Sequence, residues 1–254
     1  MRNYPHKPDA EDIREIRERC LESYKDDILK IPIFLEKRRW VFFRENATDE
    51  MELGNFCYAF EEPVKDVIEY LRKSCSSLSI AIDFGMPMDP GKFLEYISRA
   101  VVVQDKVLVE QLSGFDRKRY TYPDVKYPYP EVRYLIAEIY ADLAGDRHAS
   151  ATERVPKAIS ELSSRSVNRI QKMVIQELIM AAKAIIEKNQ EDFDKAMEAR
   201  CKDWAKLWPR SLGYTVIEAL IDMPCLGILR LAMNNGLKCN IQSVYLPLEL
   251  LKED

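Results

Sequence analysis

PEVRYLIAEIYADLAGD, residues 130–146, decides the fold class. Val132, Leu135, Ile136, Ile139, Tyr140 and Leu143 recur at spacings of three and four, so they share one face only if the backbone is α-helical. Gly145 then offers a stop, because glycine enters the left-handed conformation that ends a helix without a Cβ penalty. The same grammar recurs in both directions from this stretch. Only 8 glycines and 13 prolines punctuate 254 residues, and the intervening segments are rich in Glu, Lys, Leu, Ala and Ile. An all-α array of antiparallel helical hairpins is predicted.

Downstream, a shorter helix is predicted over Thr152 to Leu162, and a long one from Ser166 to Glu187 carrying Ile170, Met173, Val174, Glu177, Leu178 and Ala181. A further helix carries Phe193, Met197, Cys201, Trp204 and Leu207. After Pro209, apolar helices are expected over Tyr214 to Ile221 and Cys225 to Met233. Gly236, a short extended run and a Pro247 turn follow, with Leu248, Leu250 and Leu251 placed to dock the tail.

Upstream, Ile13, Ile16, Cys20, Tyr24 and Ile28 mark an amphipathic helix from Asp9. IPIFLEKRRWVFFREN, residues 31–46, fits helical and extended periodicity each in part, so a short helix or an extended piece is expected. Helical turns are expected around Phe56, Tyr58 and Phe60, and a clearer helix after Pro63 with Val64, Val67, Ile68, Leu71 and Cys75 on one side. Asp89 followed by Pro90 is a helix start, since proline's missing N–H costs nothing at the first helical position. That helix is predicted to reach Leu112.

Residues 114–130, GFDRKRYTYPDVKYPYP, interrupt the pattern, because each residue before a proline is pushed out of the α region. One helical domain is expected, divisible into packed halves at 1–113 and 131–254 joined by this loop.

With 47% hydrophobic and 31% charged residues, the chain has enough apolar surface for a large core. Its 38 basic and 42 acidic side chains are mixed along the sequence, which disfavours nucleic-acid binding, a function that needs a concentrated basic face. No apolar run approaches membrane-spanning length and none near the start resembles a secretory leader, so a cytoplasmic protein without membrane association is expected. The six cysteines show no Cys-x-x-Cys spacing and are expected to be free thiols.

Candidates for chemistry are few. His6 and His148 have no companion carboxylates or cysteines at catalytic or metal-binding spacing. No phosphate loop, nucleophile elbow or zinc-binding helix motif is present. No catalytic, cofactor-binding or metal-ligating residue is therefore expected, although an acidic metal enzyme stands as a rival reading. Two features suit a protein partner instead. Arg117, Arg119, Tyr120, Tyr122 and Tyr127 combine the residue types enriched at binding hot spots. Glu187, Glu191, Asp194 and Glu198 would line one helix face if the helix ran unbroken through Asn189 and Gln190; Glu191 and Asp194 are the candidates for meeting a basic partner.

Two segments carry a family resemblance. PCLGILRLAMNNG, then LKCNIQSVY, then YLPLELL resembles the ending of the Immunity protein 49 family of bacterial polymorphic toxin systems: a helix, a glycine, a brief extended run, and Tyr-Leu-Pro with paired leucines. YLIAEIYADLAGDRHASA is similar to that family's helix ending in a Gly-Asp step. The chain departs from the family's small-residue pattern at Cys239 and Asn240. The resemblance lies in the second half of the chain. It implies a non-catalytic immunity protein that binds and neutralises a cognate protein toxin by occlusion. A helical adaptor, or a member of another helical immunity family, is the alternative.

Overall fold

The computed structural model describes residue 2 and residues 10–30, 39–114, 117, 129–164, 166–207 and 220–252. Ten α-helices are formed among them: α1 Ala10–Lys30, α2 Arg39–Ala59, α3 Val64–Asp83, α4 Pro90–Val102, α5 Lys106–Ser113, α6 Glu131–Ala144, α7 His148–Glu161, α8 Arg169–Glu187, α9 Gln190–Leu207 and α10 Met223–Asn234. A 3₁₀ turn, Leu248–Leu251, follows. The described residues contain no strand, as an all-α fold requires.

Neighbours in sequence pack as hairpins: α2 on α3, α6 on α7, α8 on α9. Helix α4 lies between, against α6 and α10. The buried residues form one large cluster running from Ala47 to Leu251. A smaller cluster joins Ile13 and Cys20 of α1 to Leu53, Phe56, Trp204, Leu220 and Tyr245.

Helix starts follow the side-chain chemistry. Asp89 accepts from the backbone N–H of Gly91 (2.8 Å) and Lys92 (3.0 Å) with Pro90 next to it. Asn168 and Gln171 form a reciprocal capping box. Asp222 caps α10 through the N–H of Cys225 (3.2 Å).

Several boundaries differ from the sequence expectation. The turns around Phe56 belong to one 21-residue helix that begins at Arg39. The segment from Pro90 to Leu112 is split, because Gln104 adopts φ 58° between α4 and α5. Gly145 keeps a negative φ of −97°, and Asp146 takes the left-handed turn instead. The shorter helix begins at His148 and the long one at Arg169, where Ile170 is 43% exposed. Residues 214–219 lie outside the described residues.

Gly236 does take the left-handed conformation, φ 87°. Residues 237–243 are irregular backbone and not β-structure. The tail beyond them is held firmly. Tyr58 Oη donates to Val244 O (2.7 Å), Asp222 N to Tyr245 O (3.0 Å) and Arg230 Nη2 to Leu250 O (3.2 Å), while Leu246, Leu250 and Leu251 are buried.

One close approach sets the centre of the fold. Gly227 of α10 meets Ser98 of α4 so tightly that a Cβ at residue 227 would lie 2.6 Å from Ser98 Cβ. Only glycine fits there without displacing a helix.

Candidate partner-binding surface

Helix α9 carries Asp194, Glu198 and Cys201 at spacings of four and three, so they project from one face. Opposite them runs the irregular segment after α10. Gln190 fastens the two together: its amide nitrogen donates to Lys238 O (3.0 Å) and its amide oxygen accepts from Lys238 N (2.7 Å). The same nitrogen donates to Asp194 Oδ1 (2.8 Å), and Asn240 Nδ2 donates to Asp194 Oδ2 (3.1 Å).

An open cleft of about 360 Å³ results, lined by Asp194, Glu198, Cys201, Lys202, Asn240, Ile241 and Gln242. Two carboxylates against one lysine make its lining acidic. It can accept a cationic side chain, with Ile241 supplying apolar contact to the alkyl stem.

The carboxylate stripe is divided by the fold. Lys188 adopts φ 52° and ends α8, so Glu187 stays on α8 in an ion pair with Lys183 (2.5 Å) while the others belong to α9. The condition of an unbroken helix is not met. Glu191 lies outside the cleft lining, exposed and paired with Lys195 (2.7 Å), whose hydrogen bond and charge hold its carboxyl below the usual range. Asp194 lies inside. Asn240 and Gln242, the opposite wall, had no helical periodicity to mark them.

Arg117 faces its own fold. Its Nη2 is 2.5 Å from Glu131 Oε2, its Nε is 3.6 Å from Glu138, and its guanidinium lies 4.8 Å from the Tyr134 ring centre. Tyr129 meets Tyr134 edge to face at 6.5 Å. Arg119, Tyr120, Tyr122 and Tyr127 lie outside the described residues.

Beneath the cleft, Arg200 is fully buried and chelates Asp222 through Nε–Oδ2 (2.7 Å) and Nη2–Oδ1 (2.9 Å), with Nη1 donating to Val174 O (2.6 Å). This bidentate pair fixes the α9 backbone behind Cys201. A hydrogen bond from the Cys225 thiol draws Cys201 below its ordinary value, and the same bond with full burial pushes Cys225 well up.

Cys20, Asp49 and Glu52 are the described residues whose ligand atoms gather within 4.8 Å of one another. Burial and the two carboxylates push the Cys20 thiol up to about 12, so it is a protonated thiol, and its Sγ lies 3.7 Å from Asp49 O. His148, half exposed at the start of α7, lies 4.0 Å from Asp146 Oδ1. All six cysteines are free.

The model of a known family, Immunity protein 49, matches residues 42–250. The chain belongs to the Immunity protein 49 family. No curated protein and no solved structure matches it. The match extends the resemblance from the second half through α2–α5, and it takes in both walls of the acidic cleft. Helix α1 precedes it. As a member of an immunity-protein family the chain has, in general terms, a toxin as its implied partner, and no helix among the described residues is long and apolar enough to cross a membrane.

Proposed function

We propose that this Immunity protein 49 member is a non-catalytic inhibitor that binds one cognate bacterial toxin in the cytoplasm and blocks it by occlusion. The observation carrying this reading is the family match over residues 42–250. The acidic cleft supports it: Asp194 and Glu198 form a site for a basic side chain of the toxin, and Glu191 extends the negative potential along α9. Arg119, Tyr120, Tyr122 and Tyr127 complete the proposed contact set. Arg117, held against α6, anchors the chain where that segment begins.

Stable occlusion buries roughly 1,200 to 2,000 Å² in total, far more than the mouth of one cleft, so the cleft is one part of a larger contact. The test is co-expression with the protein encoded by the neighbouring gene. Rescue of growth together with a complex that survives gel filtration is expected. A chain that neither rescues growth nor forms the complex refutes the reading.

A further inference from the structure

The thiols of this chain are not equivalent. Cys20, Cys57, Cys75 and Cys225 are buried, whereas Cys201 is half-buried and forms part of the acidic cleft lining. Met197 and Cys201 stand four residues apart on α9, so both side chains leave the same face of that helix. Cys225, near the start of α10, reaches this face from the core. Its Sγ lies 3.8 Å from Met197 Sδ, and its thiol donates to Cys201 Sγ. The Ser243 hydroxyl, one residue beyond the cleft's Gln242, donates to the same sulfur, while Ser243 Oγ accepts from Tyr245 N (3.3 Å).

Two donors on one sulfur favour its anionic form. The hydrogen bond from Cys225 outweighs burial and the charge of Asp222, and Ser243 and Arg200 act in the same direction as Cys225, so Cys201 is held below its ordinary value. Cys239, the other half-buried thiol, is instead pushed up by burial. The thiolate is the form of cysteine that attacks an electrophile, and the open cleft of about 360 Å³ gives small solutes access to it. Asp194 and Glu198 repel anions from that entrance, which selects a neutral oxidant over a charged disulfide.

We propose that Cys201 is an oxidation site for hydrogen peroxide and that Cys225 resolves it, giving a reversible Cys201–Cys225 disulfide beneath the acidic cleft. The Cys201 thiolate attacks one peroxide oxygen. An S–O bond forms, the O–O bond breaks, and the departing hydroxide takes up a proton to become water. The Cys225 sulfur then attacks the Cys201 sulfenic acid, the S–O bond breaks, and the hydroxide leaves as water with the Cys225 proton. Two thiols are oxidised by two electrons and one peroxide is reduced to two waters. The sulfurs start in hydrogen-bond contact and close to about 2.05 Å. The bond ties α9 to the start of α10 and draws the Cys201 sulfur inward from the cleft. Exchange with a dithiol restores both thiols. This chemistry needs only the folded chain and is independent of the toxin reading.

Peptide mapping without reduction tests it. The reduced full chain is treated with hydrogen peroxide, its remaining thiols are alkylated in denaturant, and the digest is read by mass spectrometry. A linked Cys201–Cys225 peptide is expected, lighter by two hydrogens than the sum of its reduced parts and lost on treatment with dithiothreitol, with the other four cysteines alkylated. Cys225→Ala is expected to leave Cys201 as a sulfenic acid that dimedone captures. The proposal is overturned if any other cysteine oxidises before Cys201, if Cys201 links to Cys239, or if Cys201 of the parent chain accumulates as the sulfenic acid with Cys225 still reduced. The map of the parent chain decides among these outcomes whether or not the variant folds.

Discussion

Two buried arginines anchor two regions of this molecule, and they do it differently. Arg200 in α9 is chelated by Asp222 across 22 residues of sequence, and each of its nitrogens has a partner. Arg99 in α4 pairs with Glu95 one turn away (2.9 Å) and reaches Ser74 and Ala47 O, but its Nε has no hydrogen-bond partner. Asp222 also caps α10 and anchors the tail, since its own N–H donates to Tyr245 O. The Arg200 joint therefore couples α8, α9, α10 and the C-terminal segment. The Arg99 joint fastens α4 to its neighbours α2 and α3. A buried ion pair need not add net stability over a well-packed apolar replacement, yet removing one partner strands a charge in the core.

This contrast yields graded expectations. Asp222→Ala strands the Arg200 guanidinium, removes the α10 cap and is expected to cost about 3–5 kcal/mol in denaturant unfolding. If the loss is no greater than that of an exposed Glu153→Ala control, the joint is not the anchor described here. Next comes Gly227→Ala, where the added methyl must displace Ser98 and is expected to cost about 1–3 kcal/mol. Glu95→Gln should cost less, about 1–2 kcal/mol, because Gln retains a hydrogen-bond acceptor for Arg99. A Glu95→Gln loss equal to that of Asp222→Ala would erase the distinction between the joints.

Two smaller effects depend on protonation. Glu50 accepts from Tyr24 Oη (2.9 Å) and Ser77 Oγ (2.8 Å), but burial dominates and raises its carboxyl above the usual range. A raised folded-state value means that its contribution is fully present below the unfolded carboxylate range and is lost as pH rises through the folded one. Glu50→Gln is therefore expected to flatten the decline in melting temperature on the alkaline side of the carboxylate range; an unchanged pH profile counts against that assignment. Alkylation of the native chain reads the thiols directly. Cys201, in the open cleft with its value lowered, should react before Cys20, Cys57 and Cys75, which burial pushes up to about 12. Mass spectrometry of partly alkylated protein checks the order.

Much of the helical layout was legible because periodicity and capping are local. The α6 face, Asp89 with Pro90, the helix after Pro63 and the Gly236 stop depend on residues within a turn of each other. Two of the misplaced boundaries share one cause. Gln104 and Asp146 take positive φ without being glycine, a conformation that local preference disfavours and that surrounding packing must stabilise. Segment 31–46 was ambiguous because Trp40, Phe42 and Phe43 suit a strand as well as a helix; packing of α2 on α3 settles α2 from Arg39 onward.

Of the candidate site, the sequence placed Asp194 and Glu198 on one helical face, because their spacing matches the α-helix. Their opposite wall comes from residues 240–242, more than forty positions later, and is positioned by the Gln190 clamp and the docked tail. The sequence by itself determined the helices, the free thiols and the family ending, all of which follow from spacing or composition. Tertiary structure alone decided the cleft, the stacked Phe43 and Phe84 rings and the Arg200–Asp222 joint, because each unites side chains whose separation along the chain carries no local signal.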